Sequence, residues 1–217
     1  MIQEISIGLQ FSRMGKAFLI NLSFIPIVLM IGFIIGLIIA IIRYYKIILI
    51  SQLFSTLIEI VRASPFLLLV YAVYFILPYT GISLNAYTSG VAVLSLTASA
   101  FFSEIFLSGL KAIDSGQYQA ADALGMTFLQ KLRIIILPQI WKMTLPSIVG
   151  QIVMIIKDTT IISLIGLSDV MRTSRQISLL TLNPFLSFGI VAFYFFIVCF
   201  PLIIISRQLE RRLEVSK

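Results

Sequence analysis

Apolar residues run through this chain in long stretches separated by short polar breaks, and the stretches are too long for core helices of a water-soluble domain. Between Ala17 and Ile42 no residue is charged, and about 20 apolar residues suffice to cross the hydrocarbon of a bilayer as a helix. A second uncharged run, Ala63 to Ser103, is interrupted by Pro78-Tyr79-Thr80-Gly81 and by Asn85. Those turn residues divide it into two crossings, roughly 53 to 77 and 88 to 110. A fourth apolar segment follows Pro146 to about Leu167, and a fifth runs from Pro184 to Ser206. The pattern predicts an all-α protein with five transmembrane helices. Ahead of the first span, Ile5, Ile7, Leu9 and Phe11 alternate as in a strand, whereas Ile2, Ile5 and Leu9 suit a surface helix, and the pattern leaves both open.

One stretch interrupts this regime. From Gln119 to Pro138 the chain reads QAADALGMTFLQKLRIIILP. Asp114 followed by Gln117 has the spacing of an N-cap with its capping-box partner, and Gln119-Ala120-Ala121-Asp122-Ala123-Leu124 favours helix strongly. Gly125 stops that helix as a C-terminal cap does, and a second helical stretch follows from about Thr127 to Ile136 before Pro138. The prediction is helix, sharp turn, helix, with the first helix lined by alanines small enough for another protein's groove to close around the backbone.

Composition supports the bilayer reading: 59% of the 217 residues are hydrophobic and 12% charged, with a mean hydropathy of +1.08. An odd number of crossings puts the termini on opposite sides, so Lys and Arg choose the orientation. With the C-terminus in the cytoplasm and the N-terminus outside, the inner side collects Arg43, Lys46, Lys111, Lys131, Arg133, Lys142, Arg207, Arg211, Arg212 and Lys217. The outer side holds Arg13, Lys16, Arg172 and Arg175. The net charge of +7 is therefore mainly a topology signal, and its scatter along membrane edges argues against nucleic acid. The polar stretch, about 111 to 137, then lies in the cytoplasm between spans three and four. The N-terminal region is expected to stay attached, since its uncharged run far exceeds the apolar core of a signal peptide.

Several chemistries are excluded by what is missing. There is no histidine, and the single Cys199 sits in the fifth apolar run, so neither a histidine-based metal site nor an internal disulfide can form. No G-x-x-x-x-G-K-[ST] cradle occurs, so the chain cannot hydrolyse ATP by the P-loop route, and any ATP energy must come from a partner. Ser108 and Lys111 have S-x-x-K spacing without companion motifs, which fits a helix end whose lysine snorkels to the interface. No solenoid repeat or low-complexity tract appears, and the chain reads as one membrane domain, residues 1 to 217.

The spacing of Ala120-Ala121, Gly125, Ile135, Leu137 and Pro138 resembles the EAA loop of permease subunits of ATP-binding cassette importers. Two further stretches narrow the likeness to polar amino acid permeases. Glu59-Ile60-Val61-Arg62-Ala63-Ser64-Pro65-Phe66-Leu67-Leu68 is similar to their E-x-x-R-G-T-P-L-L. Lys157-Asp158-Thr159-Thr160-Ile161-Ile162-Ser163-Leu164-Ile165-Gly166 resembles their K-[DN]-T-S-L-x-S-x-I-G. With Glu104, Gly116-Gln117 and Leu209-Glu210-Arg211-Arg212-Leu213, the similarity covers nearly the whole chain. It departs from the pattern at Gln119 for Glu, Ala63 for Gly, Ser64 for Thr and Leu107 for a usual Arg.

The resemblance implies a fold of type I importer permeases and a coupling helix, Gln119 through Gly125, that docks into a cleft of a separate ATPase subunit carrying ATP and magnesium. It also implies a second permease, alike or related, an extracytoplasmic binding protein that delivers a polar amino acid, and the bacterial inner membrane as location. The permease itself performs no covalent chemistry.

Charges inside the spans are the remaining candidates, because an ion at the bilayer centre costs about 2.5 to 3.5 kcal/mol on insertion scales and so faces a partner, a cavity or a pathway. They are Glu59, Arg62, Glu104, Lys157 and Asp158. Glu59 and Arg62 stand three apart on one face and can pair with each other or meet substrate. Lys157 and Asp158 lie about 100° apart around a helix and cannot face one neighbour. With Thr159, Thr160 and Ser163 they suit either a path lining or a polar tie between helices. Thr88, Ala92, Ser95, Ser99 and Ser103 form a small-residue stripe that signals close packing first, with Ser99 and Glu104 kept as path candidates. Gly32, Gly36 and Ala40 signal packing as well, and the aromatic run Phe193 to Phe196 suits lipid or core. The competing function, a self-sufficient ion-coupled carrier or channel using Glu59, Glu104 and Asp158, would need internal inverted repeats and more helices than five.

Overall fold

A computed structural model describes residues 6–46 and 48–214. The described chain is helical: α1 (Ile7–Tyr44), α2 (Ile48–Ala63), α3 (Phe66–Tyr71), α4 (Ala86–Ala112), α5 (Ser115–Ala123), α6 (Phe128–Gln130), α7 (Leu137–Asp158), α8 (Val170–Thr181) and α9 (Pro184–Glu214). Four stretches are long and apolar enough to cross a membrane, Ile7–Tyr44, Ala86–Ala112, Phe128–Ile165 and Pro184–Arg211, and a bent pair makes a fifth.

The ambiguity at the N-terminus resolves to helix from Ile7 onward, where the Ser6 side chain accepts from the Leu9 amide at 3.4 Å. Ile2 and Ile5 lie outside the described residues. Helix α1 packs along α4, and its buried residues Asn21, Phe24, Val28, Gly32, Gly36 and Ala40 recur every three or four positions. The glycines work as expected of membrane packing. A Cβ at Gly32 would come within 2.8 Å of the Ala98 Cβ, and one at Gly36 within 3.0 Å of the Ser99 carbonyl oxygen. The core between α1, α4 and α7 is filled by Phe24, Leu94, Phe102, Ile140, Ile148 and Ile155, with Phe33 stacked on Phe102 at 4.3 Å.

Two spans differ from the sequence pattern. The expected second crossing, 53 to 77, is broken: the helix axis turns by 106° between Leu49–Ala63 and Phe66–Thr80. Pro65 is the cause, since it lacks an N–H and drives the residue before it out of helical geometry. Ser64 closes the end of α2, its hydroxyl donating to the Ile60 carbonyl at 2.7 Å. With 16 residues, α2 reaches only about 24 Å, short of a full crossing. Beyond α3 the chain passes through a π turn, Ala72–Ile76, and a 3-10 turn, Leu77–Thr80, to Gly81, whose φ of +89° confirms the turn read at Pro78 to Gly81.

The fourth span begins well before Pro146. Helix continues from α6 through a π-helical segment, Lys131–Ile136, into α7. Pro138 lies in the first turn of α7, where a missing N–H costs least, and the wide π turn before it gives the ring room. Pro146 is buried inside α7. The span then tightens to a 3-10 helix, Thr159–Ile165, that stops at Gly166 with φ +98°.

Candidate functional site

The polar stretch folds as a tight helical hairpin. The Asp114 Oδ1 accepts from the Gly116 amide at 2.6 Å and starts α5. Gln117 does not complete a capping box, because its side-chain carbonyl accepts instead from Gln139 Nε2 at 2.5 Å, tying α5 to the start of α7. At the other end the Met126 amide donates to the Ala121 carbonyl at 3.1 Å and the Gly125 amide to Asp122 at 2.9 Å. This is a Schellman motif with Gly125, at φ +67°, in the left-handed position. The capping box lies one helix later: the Thr127 amide donates to Gln130 Oε1 at 2.8 Å, and Thr127 Oγ1 accepts from the Gln130 amide at 3.4 Å. Its signal was the Thr-x-x-Gln spacing.

The hairpin is braced by an ion pair, Asp122 to Lys131 at 2.5 Å. It leans on the end of α1 through Tyr44 on Tyr118, at 6.0 Å, and Tyr45 on Phe128, at 5.3 Å. Burial and the neighbouring Tyr44 hydroxyl push the Tyr118 phenol up, so it stays protonated. Of the two alanines expected to face a partner, Ala121 is 1% exposed and packs inward. Gln119, Ala120, Asp122, Ala123, Leu124, Gly125 and Pro138 are exposed. Leu124 at 79%, Leu129 at 69% and Ile134 at 63% give the hairpin an apolar outer edge that a solvated loop does not need.

A second cluster joins α1, α2 and α4. The Glu104 Oε1 forms ion pairs with Arg43 Nη1 at 2.7 Å and with Arg62 Nη1 at 3.4 Å. Arg43 also donates to Ser55 Oγ at 3.1 Å and Ser103 Oγ at 3.3 Å, and the Arg62 guanidinium sits 5.5 Å from the Phe101 ring centre. The expected pairing of Glu59 with Arg62 is therefore absent: Arg62 turns to Glu104, and Glu59 is exposed without an ion-pair partner among the described residues. Packing of α2 on α4 brings to Arg62 a carboxylate already held by Arg43, which outweighs a pair between exposed neighbours on one helix. Arg43 had been read only as a topology charge.

The third cluster surrounds Thr159. Asn21 Nδ2 donates to Asp169 Oδ2 at 2.9 Å and to Thr159 Oγ1 at 3.1 Å, and Asn21 Oδ1 accepts from the Val170 amide at 3.2 Å. Asp169 Oδ1 accepts from the Arg172 amide at 2.9 Å, and Arg175 donates to Ser163 Oγ at 2.9 Å. Asn21, Thr159 and Asp169 are almost fully buried. Thr159 thus binds span four to α1 and α8, and Ser99 donates to the Ser95 carbonyl within its own helix at 2.6 Å. Asn21, the one amide inside the first uncharged run, and Asp169, which caps α8, were not singled out from the sequence. Lys157 is exposed and Asp158 half-buried, and neither side chain has a hydrogen-bond or ion-pair partner among the described residues.

A family model described as binding-protein-dependent transport system inner membrane component matches residues 6–215. The chain is 34% identical over 198 residues to the probable glutamine ABC transporter permease protein GlnP of Bacillus subtilis (strain 168), covering 90% of this chain and 91% of the relative. It is 30% identical over 184 residues to the L-cystine transport system permease protein TcyB of the same organism, covering 84% and 79%. Among solved structures, that of an amino acid ABC transporter with histidines superposes with a TM-score of 0.82 at 30% identity, over 93% of this chain and 94% of the other. An inward-facing MetNI methionine ABC transporter superposes at 0.73 and 18% identity, over 89% and 92%, and supports the fold alone.

Proposed function

This chain belongs to the binding-protein-dependent transport system inner membrane components, and from that premise we propose how it works: as the permease subunit of an ATP-binding cassette importer for polar amino acids. Two such subunits enclose the path, two ATPase subunits carrying ATP and magnesium dock on the hairpins, and an extracytoplasmic binding protein delivers the amino acid. The chain lies in a bacterial inner membrane with its C-terminus and the hairpin in the cytoplasm, as the distribution of Lys and Arg favours.

One observation carries this reading: a capped hairpin fixed on its inner side by Ala121, Lys131 and Gln139 presents Leu124 and Leu129 outward. Such a hairpin moves as a unit, so closure of a docked ATPase pulls on α4 and α7 together. The rival ion-coupled carrier has no use for this edge, and the relatives named above are permeases of ABC transporters. In liposomes, uptake should require the co-purified ATPase and ATP; uptake driven by an ion gradient without the ATPase would defeat the proposal.

A further inference from the structure

Between α1, α2 and α4 lies a groove of about 470 Å³ that neither the hairpin nor the outer cluster uses. Ile31 and Ile39 mark its extent along α1, Leu57 and Val61 of α2 form a second wall, and Ala92 and Ser95 lie on the α4 side. From residue 31 to 39 the groove is about 12 Å long, which leaves a cross-section of about 40 Å², half that of a helix 10 Å across. It is a slot for a chain thinner than a helix. Its lining is apolar except for two serines of α4. Ser99 is satisfied by the Ser95 carbonyl, but Ser95 is 5% exposed and its own hydroxyl has no hydrogen-bond partner among the described residues. A buried hydroxyl left in this way calls for an acceptor from outside the chain.

One end of the slot is charged. Ile39 and Ala100 are the last lining residues of α1 and α4, and they meet Ile58 of α2 in a small buried cluster. Four positions further along each helix stand Arg43, Glu104 and Arg62. Four residues are about one turn, so all three helices place a charge on the same side just past the apolar wall. One carboxylate there faces two guanidiniums, and one positive charge is left over. Glu59 does not balance it, because it is two residues from both Leu57 and Val61 and so lies about 160° around α2 from each. Arg43 is engaged by Glu104, Ser55 and Ser103. The Arg62 side chain is 39% exposed, and among the described residues its polar partner is Glu104 at 3.4 Å, which leaves most of its five N–H groups free.

We propose that this groove holds an anionic phospholipid. Its phosphodiester sits on Arg62, one acyl chain follows the slot from Ile39 toward Ile31, and the Ser95 hydroxyl donates to an ester carbonyl. The direction agrees with the bilayer: Arg43 is the penultimate residue of α1, so the charges stand at a leaflet edge and the slot runs inward from it. Basic pockets between membrane helices suit phosphate headgroups, and a guanidinium fork matches a phosphate. An uncharged lipid has no use for the spare guanidinium, and a free phosphate has none for the slot. The inference goes beyond the permease reading and does not need it, since a bilayer is enough. A lipid so placed bridges α2 to α1 and α4, and thereby steadies the first half of the bent second span.

The test uses the assembled transporter, ATPase included, stripped of lipid in mild detergent and titrated with dioleoyl phosphatidylglycerol or dioleoyl phosphatidylcholine, with bound lipid counted by native mass spectrometry. The anionic lipid should bind about tenfold more tightly than the zwitterionic one. Arg62→Gln should abolish that preference, and Arg62→Lys should keep most of it. Ala92→Phe fills the slot from an exposed position and should weaken both lipids about tenfold. Ser95→Ala should cost about threefold. Lys111→Gln removes an exposed charge outside the groove and should stay within about twofold of the parent. Equal affinity for the two lipids overturns the proposal, as does parental binding by Arg62→Gln or Ala92→Phe. In native membranes, a benzophenone maleimide on Ala92→Cys in a Cys199→Ala background should add the mass of a phospholipid on irradiation. A protein adduct at that position would show the groove covered by another subunit and would overturn it as well.

Discussion

Glu104 shows why a carboxylate in a span cannot be assigned by charge alone. As an isolated anion it would suit the ammonium of an amino acid, yet its Oε1 already faces Arg43 at 2.7 Å and Arg62 at 3.4 Å. Glu104→Gln keeps the shape and leaves Arg43, whose side chain is 9% exposed, without its counter-ion. The expected cost is about 2 kcal/mol, seen as a lower Tm in detergent. Glu104→Asp should lose less. If the carboxylate also meets substrate, the KM for uptake will change in Glu104→Gln; a lower Tm at constant KM makes the residue a tie between helices. Gly125 is a separate case, since its φ of +67° belongs to the left-handed region that a β-branched residue avoids. Gly125→Val should cost the hairpin about 1 to 2 kcal/mol and reduce co-purification of the ATPase, with membrane insertion unchanged. Full co-purification and normal uptake would contradict it.

Among the elements, those set by local spacing were readable from the sequence. The cap at Asp114, the stop at Gly125 and the turn at Gly81 each rest on a few consecutive residues whose side chains or φ angles decide the outcome on the spot. Span two differs from the expected single crossing because Pro65 stands near the start of the long uncharged run from Ala63, where hydropathy outvotes a single residue that in fact turns the axis by 106°. The start of span four was misjudged for the opposite reason: Pro138 and Pro146 look like boundaries, but one fits a first turn and the other is buried within the helix. The glycines of α1 show an element-level constraint that spacing did announce. Gly36→Leu would drive a branched side chain into the Ser99 carbonyl and the Ser103 amide, backbone atoms that cannot swing aside. It should separate α1 from α4, cost about 3 kcal/mol or more, and lower the yield of folded monodisperse protein; Gly8→Leu, with nothing within 4 Å, should be close to neutral.

At the scale of the molecule, what the sequence concealed are bonds between residues far apart in the chain. Asn21 and Asp169 are 148 positions apart, and only the packing of α1 beside span four and α8 lets one side chain satisfy both the carboxylate and Thr159. This cluster lies at the opposite end of the bundle from the hairpin, so the two ends are joined through α1, α4 and α7 acting as struts. A pull on the hairpin reaches the far side only if those struts stay attached there. Asn21→Leu removes the attachment without filling the space with charge, and it leaves a buried Asp169 carboxylate and the Val170 amide each short of a partner. The ATPase should still bind such a variant, because the hairpin is untouched, and ATP should still be hydrolysed. Uptake per ATP hydrolysed should fall about tenfold, since α1 no longer moves together with the outer end of span four and the start of α8. Uptake and hydrolysis falling in equal proportion would place the defect in docking or folding, and both remaining at the parent's level would mean that the outer cluster has no part in transmission.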